Sequence, residues 1–429
     1  MRTKFITITC IMLMLFIVAC NGSSKLNNEV VIIRFSTPYV GINPAAPSMK
    51  EIVRLFNEKY KDVYNVIIDE VPGEENYINK IKTQLSTGDL PPIVYGLGYN
   101  LLDLILAQDS ALDLTDFVNE SAEWKAQYDD MSMLVNTRNG RIYASSAEST
   151  VVGYYYNKEL FAKADITKPA DTWDEFMTHL QKLKDAGITP LSMQTSDSGW
   201  VTQFWLGALV ATKNENGLQF MRSTNVKNFN TSEMVYATGI LQKLLQEYTT
   251  SDAIGGSYED AASNFFNEKT AIIANGPWMI GDIFDESKTE KGFGDKIGCA
   301  IFPEQFVYNA PNQGYIVIKQ KNNPRLEKAC VEFVRFMTSD DAQKIKLLIS
   351  SMVPSSSTCT IPDELAVSNP LLVSYLKTIN TARISSDNLQ SIMYPNAVDE
   401  MCQQMTLLYN GSITPEKFCD VLTQFSERN

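Results

Sequence analysis

Histidine is almost missing from this chain of 429 residues, where His179 is the only one. A single imidazole excludes any metal site that needs two, and it removes the usual base of a nucleophile triad. Also missing are a G-x-S-x-G elbow, an H-E-x-x-H helix and a phosphate-cradling P-loop, so the common hydrolase and nucleotidase signals have no counterpart here. Positive charge is in deficit: 37 Lys and Arg stand against 50 Asp and Glu, a formal charge of -13. That balance argues against nucleic acid or anionic lipid as a partner and mildly disfavours an anionic ligand. Cysteine is sparse, seven in all and without metal-type spacing. Neither a cofactor nor a metal ion is expected. There is no internal repeat and no low-complexity region.

The longest apolar run, Phe5 to Ala19, follows Arg2 and Lys4 and is too short to span a bilayer comfortably. It reads as a signal peptide over residues 1–19. It ends at Ile17-Val18-Ala19-Cys20, which resembles a bacterial lipobox. In that pattern cleavage falls before the cysteine, and lipid on Cys20 holds the mature chain on the extracytoplasmic face of the cell membrane. Residues 20–28 then form a polar tether with no apolar face to bury. Roughly 400 residues remain, with 44% hydrophobic and 10% aromatic content, more than one core usually serves, so two domains are expected.

Val30 to Phe35 reads as a buried strand, a helix follows with Ile52, Leu55, Phe56 and Tyr60 on one face, and Val63 to Val71 is the next strand. A helix with Ile78, Ile81 and Leu85 leads to Ile93-Val94-Tyr95. This alternation predicts α/β architecture with a mainly parallel sheet flanked by helices. In such sheets the loops at the carboxyl ends of strands form the ligand crevice, which directs Thr37 to Asn43 and Tyr95 to Asn100 to one opening. Thr172-Trp173-Asp174-Glu175 has the form of a capping box, and Gly187 ends its helix. His179 falls at the edge of that helix's apolar stripe and reads as packing. The stripe Leu326, Ala329, Cys330, Phe333, Met337 makes Cys330 a core residue. Near the end, Cys402 and Cys419 lie on two helices that read as a pair, and they either join as a disulfide or remain separate buried thiols.

Several segments in order resemble the extracellular solute-binding proteins of carbohydrate ABC importers, the family of maltose- and multiple-sugar-binding proteins. They are Thr83 to Val94, Arg141-Ile142-Tyr143-Ala144, Tyr155 to Phe161 with Thr172 to Phe176, Phe265 to Ile272, and Asn275-Gly276-Pro277-Trp278. Pro92 stands where the family pattern usually has an aspartate. The resemblance implies a two-lobed periplasmic-binding-protein fold, type II-like, with a ligand cleft between lobes that close like a hinge. It implies residues 29–146 with 302–350 as lobe 1 and 147–301 with 351–429 as lobe 2. It further implies a monomer that delivers a carbohydrate to the transmembrane permease subunits of an importer.

Sugar rings offer apolar C–H faces and a rim of hydroxyls, so a site for them needs flat aromatics and edge-on amides or carboxylates. Trp200, in the polar loop Thr195 to Trp200, and Trp278, after an apparent strand, are the stacking candidates. Tyr39, Tyr95 and Tyr315 occupy loops beside strands, while Glu148, Asp197, Asn312 and Gln313 are hydrogen-bonding candidates. Trp173 and Trp205 read as structural, and Trp124 as peripheral. Two alternatives stay open: the same fold binding a peptide or polyamine, and a lipid-anchored glycoside hydrolase built on two carboxylates.

Overall fold

The computed structural model describes residues 29–97, 101–356, 358–363 and 365–427. The signal peptide, Cys20 and the tether expected at 1–28 lie outside the described residues, as do 98–100 of the second crevice loop.

The first lobe begins as the hydrophobic pattern requires. Val31–Thr37 and Tyr64–Glu70 pair in parallel, Val31 opposite Tyr64 through Thr37 opposite Glu70. Parallel neighbours need a crossover, and helix Ala46–Lys59 supplies it, burying Met49, Ile52, Val53 and Phe56. Helix Glu74–Thr87 buries Tyr77, Ile78, Ile81 and Leu85 and stops at Gly88 in the left-handed conformation. Strand Ile93–Tyr95 then pairs antiparallel with Tyr315–Val317, which pairs antiparallel with Ala144–Ser145. The larger sheet of the second lobe runs Ile384–Ser386, Phe306–Pro311, Ser149–Asn157, Thr270–Asn275, Thr189–Ser192, with Ile297–Ala300 also on the long strand.

The sheets are mixed, which corrects the expectation of mainly parallel ones. Ser149–Asn157 is antiparallel to all three of its neighbours, and the parallel pairs in that sheet are Phe306–Pro311 with Ile384–Ser386 and Thr189–Ser192 with Thr270–Asn275. The strands that break the pattern enter from the other lobe. A right-handed βαβ crossover does not govern their direction.

Three chain segments pass between the lobes, and they are laced together. Ser146 Oγ donates to the Asn312 carbonyl at 2.6 Å, Asn312 N to the Glu148 carbonyl at 3.0 Å, and Ser149 N to the Val353 carbonyl at 2.8 Å. The return crossing lies at Asn312-Gln313-Gly314 rather than at 302, because Phe306–Pro311 is bonded into the larger sheet. Gly314 is required there by space: a Cβ at this position would stand 1.9 Å from the Ser145 carbonyl oxygen.

Local details refine the sequence reading. Thr172 Oγ1 accepts from Glu175 N at 3.2 Å, but the Glu175 carboxylate accepts from Asp171 N, one residue before the cap, so the box is not reciprocal. Trp124 is buried at 2% exposure and donates to Ser145 Oγ at 2.9 Å, which corrects its peripheral placement. Trp205 and Cys330 are fully buried. Cys402 and Cys419 are free thiols on the packed helices Pro395–Tyr409 and Pro415–Glu427; Cys419 Sγ lies 3.7 Å from Thr238 Oγ1. Among the described residues no helix is long and apolar enough to cross a membrane.

Candidate functional site

A cavity of about 690 Å³ opens between the lobes and the crossings. Small-molecule sites span about 300–1,000 Å³, so this space suits a solute of a few rings rather than a macromolecule. Tyr39, Asn43 and Glu74 line it from the first lobe, Asp197, Trp200, Gln203, Tyr258, Trp278 and Gln390 from the second, and Thr150, Asn312 and Met352 from the crossings.

The apolar wall is an aromatic cluster. Trp200 opens helix Trp200–Lys213 after Asp197, Ser198 and Gly199, all three in the left-handed region. That turn brings the half-buried indole to 4.7 Å from the Tyr258 ring and 6.3 Å from Trp278, centroid to centroid. Trp278 folds back over its own backbone, since a Cβ on Gly276 would stand 2.1 Å from Trp278 Cζ3. Gly276→Ala is therefore expected to displace this indole, read as a shift in tryptophan emission. An unchanged spectrum would mean that the close approach is not needed.

Polar groups rim the aromatic wall. Asp197 Oδ2 accepts from Tyr258 N at 3.0 Å, so its carboxylate sits at the positive end of helix Tyr258–Phe266. Ser198 Oγ donates to Gln390 Oε1 at 3.0 Å. Gln203, 2% exposed, donates through Nε2 to the Ser198 carbonyl, while its Oε1 accepts no hydrogen bond. Buried acceptors are normally paired, which marks Gln203 as a group awaiting a donor.

Glu74, at the start of helix Glu74–Thr87, is exposed and faces the cleft. Desolvation, reinforced by the charges of Asp197 and Glu148, pushes its carboxyl from 4.5 up to about 7. The folded state then holds this proton more strongly than the unfolded chain, so the group subtracts stability as pH rises from 4.5 to about 7. Glu74→Gln removes that loss. Its melting temperature is expected to match the parent near pH 4 and to exceed it near pH 8; a difference independent of pH would contradict the assignment.

Of the eight residues expected from sequence, Tyr39, Asp197, Trp200 and Trp278 line the cavity, and Tyr95, Glu148, Gln313 and Tyr315 do not. The last four are buried behind it. Glu148 accepts from Lys346 Nζ at 2.5 Å, from the Tyr39 hydroxyl at 3.2 Å and from the Tyr95 hydroxyl, and both members of the ion pair are buried. Burial, with the neighbouring tyrosines and Glu148 adding to it, holds the Tyr39 hydroxyl well above the usual phenol range, so it stays a neutral donor. Tyr95 stacks on Tyr315 at 4.5 Å. Gln313 Oε1 accepts from Leu101 N at 2.9 Å and Leu102 N at 3.0 Å, capping a short helix. Glu74, Gln203, Tyr258 and Gln390 were not singled out from sequence. Among the described residues, no group of His, Cys, Asp and Glu is arranged to hold a metal ion.

Two α/β lobes facing each other across a solute-sized cavity, with three crossings behind it, define a two-lobed solute receptor. A family profile described as "Bacterial extracellular solute-binding protein" matches residues 51–371, and the chain belongs to that family. The Multiple sugar-binding protein of Streptococcus mutans is 25% identical over 214 residues, 48% of this chain and 49% of that one. The sn-glycerol-3-phosphate-binding periplasmic protein of Pectobacterium atrosepticum is 26% identical over 165 residues, 37% of this chain and 36% of that one. The chain thus spans about half or less of the length of these curated relatives. Among solved structures, a chitin oligosaccharide binding protein aligns with a TM-score of 0.81 at 21% identity, covering 93% of this chain and 98% of that one. A Streptococcus pneumoniae solute-binding protein in complex with the blood group A-trisaccharide aligns at 0.78 and 19% identity, covering 93% and 100%. At these identities the likeness shows the fold.

Proposed function

We propose that this chain is the substrate-binding component of an ABC importer and captures a sugar or oligosaccharide in the interlobe cleft. The observation that carries the reading is the aromatic wall of Trp200, Tyr258 and Trp278 beside a rim of carboxylates and amides. An indole offers a flat apolar face to ring C–H groups, and Asp197, Glu74, Gln203, Asn312 and Gln390 offer hydrogen-bond partners to hydroxyls. Tyr39, Asp197, Trp200 and Trp278 touch the ligand in this reading; Tyr95, Glu148, Gln313 and Tyr315 hold the wall and the crossings from behind. Ligand bridging both lobes favours the closed arrangement, and permease subunits then receive the closed receptor. Lipid on Cys20 anchors a monomeric body from about residue 29 to the extracytoplasmic face of the cell membrane, as the lipobox-like segment suggests. Binding without turnover is supported by the family to which the chain belongs.

A thermal-shift screen of residues 29–429 tests this. Oligosaccharides, amino acids, peptides and polyamines are compared, because a ligand that binds only the folded state raises the melting temperature. A shift with one glycan class, with the glycan recovered intact, is expected. A shift with peptides or amines alone, or a cleaved glycan, would overturn the reading.

A further inference from the structure

The cavity is strongly one-signed. Glu74 and Glu75 face it from one lobe and Asp197, Glu259 and Asp282 from the other, while the one cation lining it among the described residues, Lys288, is bound to Asp282 at 2.6 Å. No ammonium or guanidinium among the described residues pairs with Glu74 or Asp197. Like charges set on opposite lobes repel when the lobes close, and this repulsion strengthens as water leaves the cleft. A neutral sugar would leave it relieved only by the proton that Glu74 takes up. Gln203 adds an independent sign, since this residue of the same wall is 2% exposed and its buried Oε1 lacks a donor. The aromatic wall requires that the donor-bearing ligand also present flat ring faces, which a linear polyamine does not.

Resting on the glycan reading above, we infer that the ligand is an amino-sugar glycan whose protonated amine sits between Glu74 of one lobe and Asp197 of the other. The amine joins the two carboxylates in a charge-assisted bridge that is complete when the lobes are closed. It acts as an electrostatic clasp, and the same field rejects uronates and sugar phosphates.

Isothermal titration at neutral pH with the glucosamine trimer, the N-acetylglucosamine trimer, a trimer containing a uronate, and spermidine tests this. The free-amine trimer is expected to bind about tenfold more tightly than its acetylated counterpart, and the uronate trimer not at all. Glu74→Gln and Asp197→Asn are each expected to shrink the preference for amine over acetamide to within about threefold of unity. Equal or tighter binding of the acetylated trimer would overturn the amine assignment and leave the glycan reading standing. Binding of spermidine with no glycan bound would overturn both.

Discussion

Lys346→Met is expected to destabilise the folded chain by about 3–5 kcal/mol, the usual cost of stripping one partner from a buried ion pair. Lys346 and Glu148 are 2% and 1% exposed, and Glu148 sits on a crossing between the lobes. Without the ammonium, the Glu148 carboxylate keeps only the neutral phenols of Tyr39 and Tyr95 as donors, and the Tyr315 hydroxyl loses its contact with Lys346. Against total stabilities of about 5–15 kcal/mol, such a loss is large. Urea unfolding of parent and variant measures it. The double change Glu148→Gln with Lys346→Met should recover at least half of the loss, since the amide oxygen still accepts from Tyr39 and Tyr95 without carrying charge. A single variant within about 1 kcal/mol of the parent would show that the pair does not bear on the crossing.

The second large effect concerns affinity. Trp200→Ala or Trp278→Ala is expected to weaken glycan binding by about 1–3 kcal/mol, the range for a lost aromatic contact at the centre of a site, while the melting temperature of the free protein moves little. The two indoles are half-buried, in contact with each other and with the cavity. Neither closes a core gap in the manner of Trp205, which is fully enclosed between Phe176 and Phe302. Titration calorimetry with the glycan found by screening reads the loss. Unchanged affinity in both variants would remove the stacking wall from the account.

How much of this was legible in the sequence depends on how local each signal is. The first strands and helices follow from periodicity, and the Asp197 to Trp200 loop declares itself as a polar turn carrying a large aromatic with no adjacent core. Strand direction is not written in hydrophobic runs. The long strand Ser149–Asn157 reads as buried whichever way its neighbours run. Tyr95 and Tyr315 share one register position in a buried sheet, and a strand-end tyrosine facing the core has the same sequence context as one facing a cleft. Glu148 is taken out of the cavity by Lys346, 198 residues away, and no local pattern announces such a partner. Glu74 reads as an ordinary acidic first turn, and Tyr258 as part of the Ser257–Asp260 capping box. Their shared wall exists only once both lobes are in place.

Tryptophan emission during glycan titration is the most direct test of the central claim, that a glycan rests on the Trp200 and Trp278 faces. The parent should show a saturable change. The double variant Trp200→Phe with Trp278→Phe retains Trp124, Trp173 and Trp205, away from the cavity, and should lose that change while calorimetry still detects residual binding. The same saturable change in the double variant would contradict the account, because it would place the glycan beside another tryptophan.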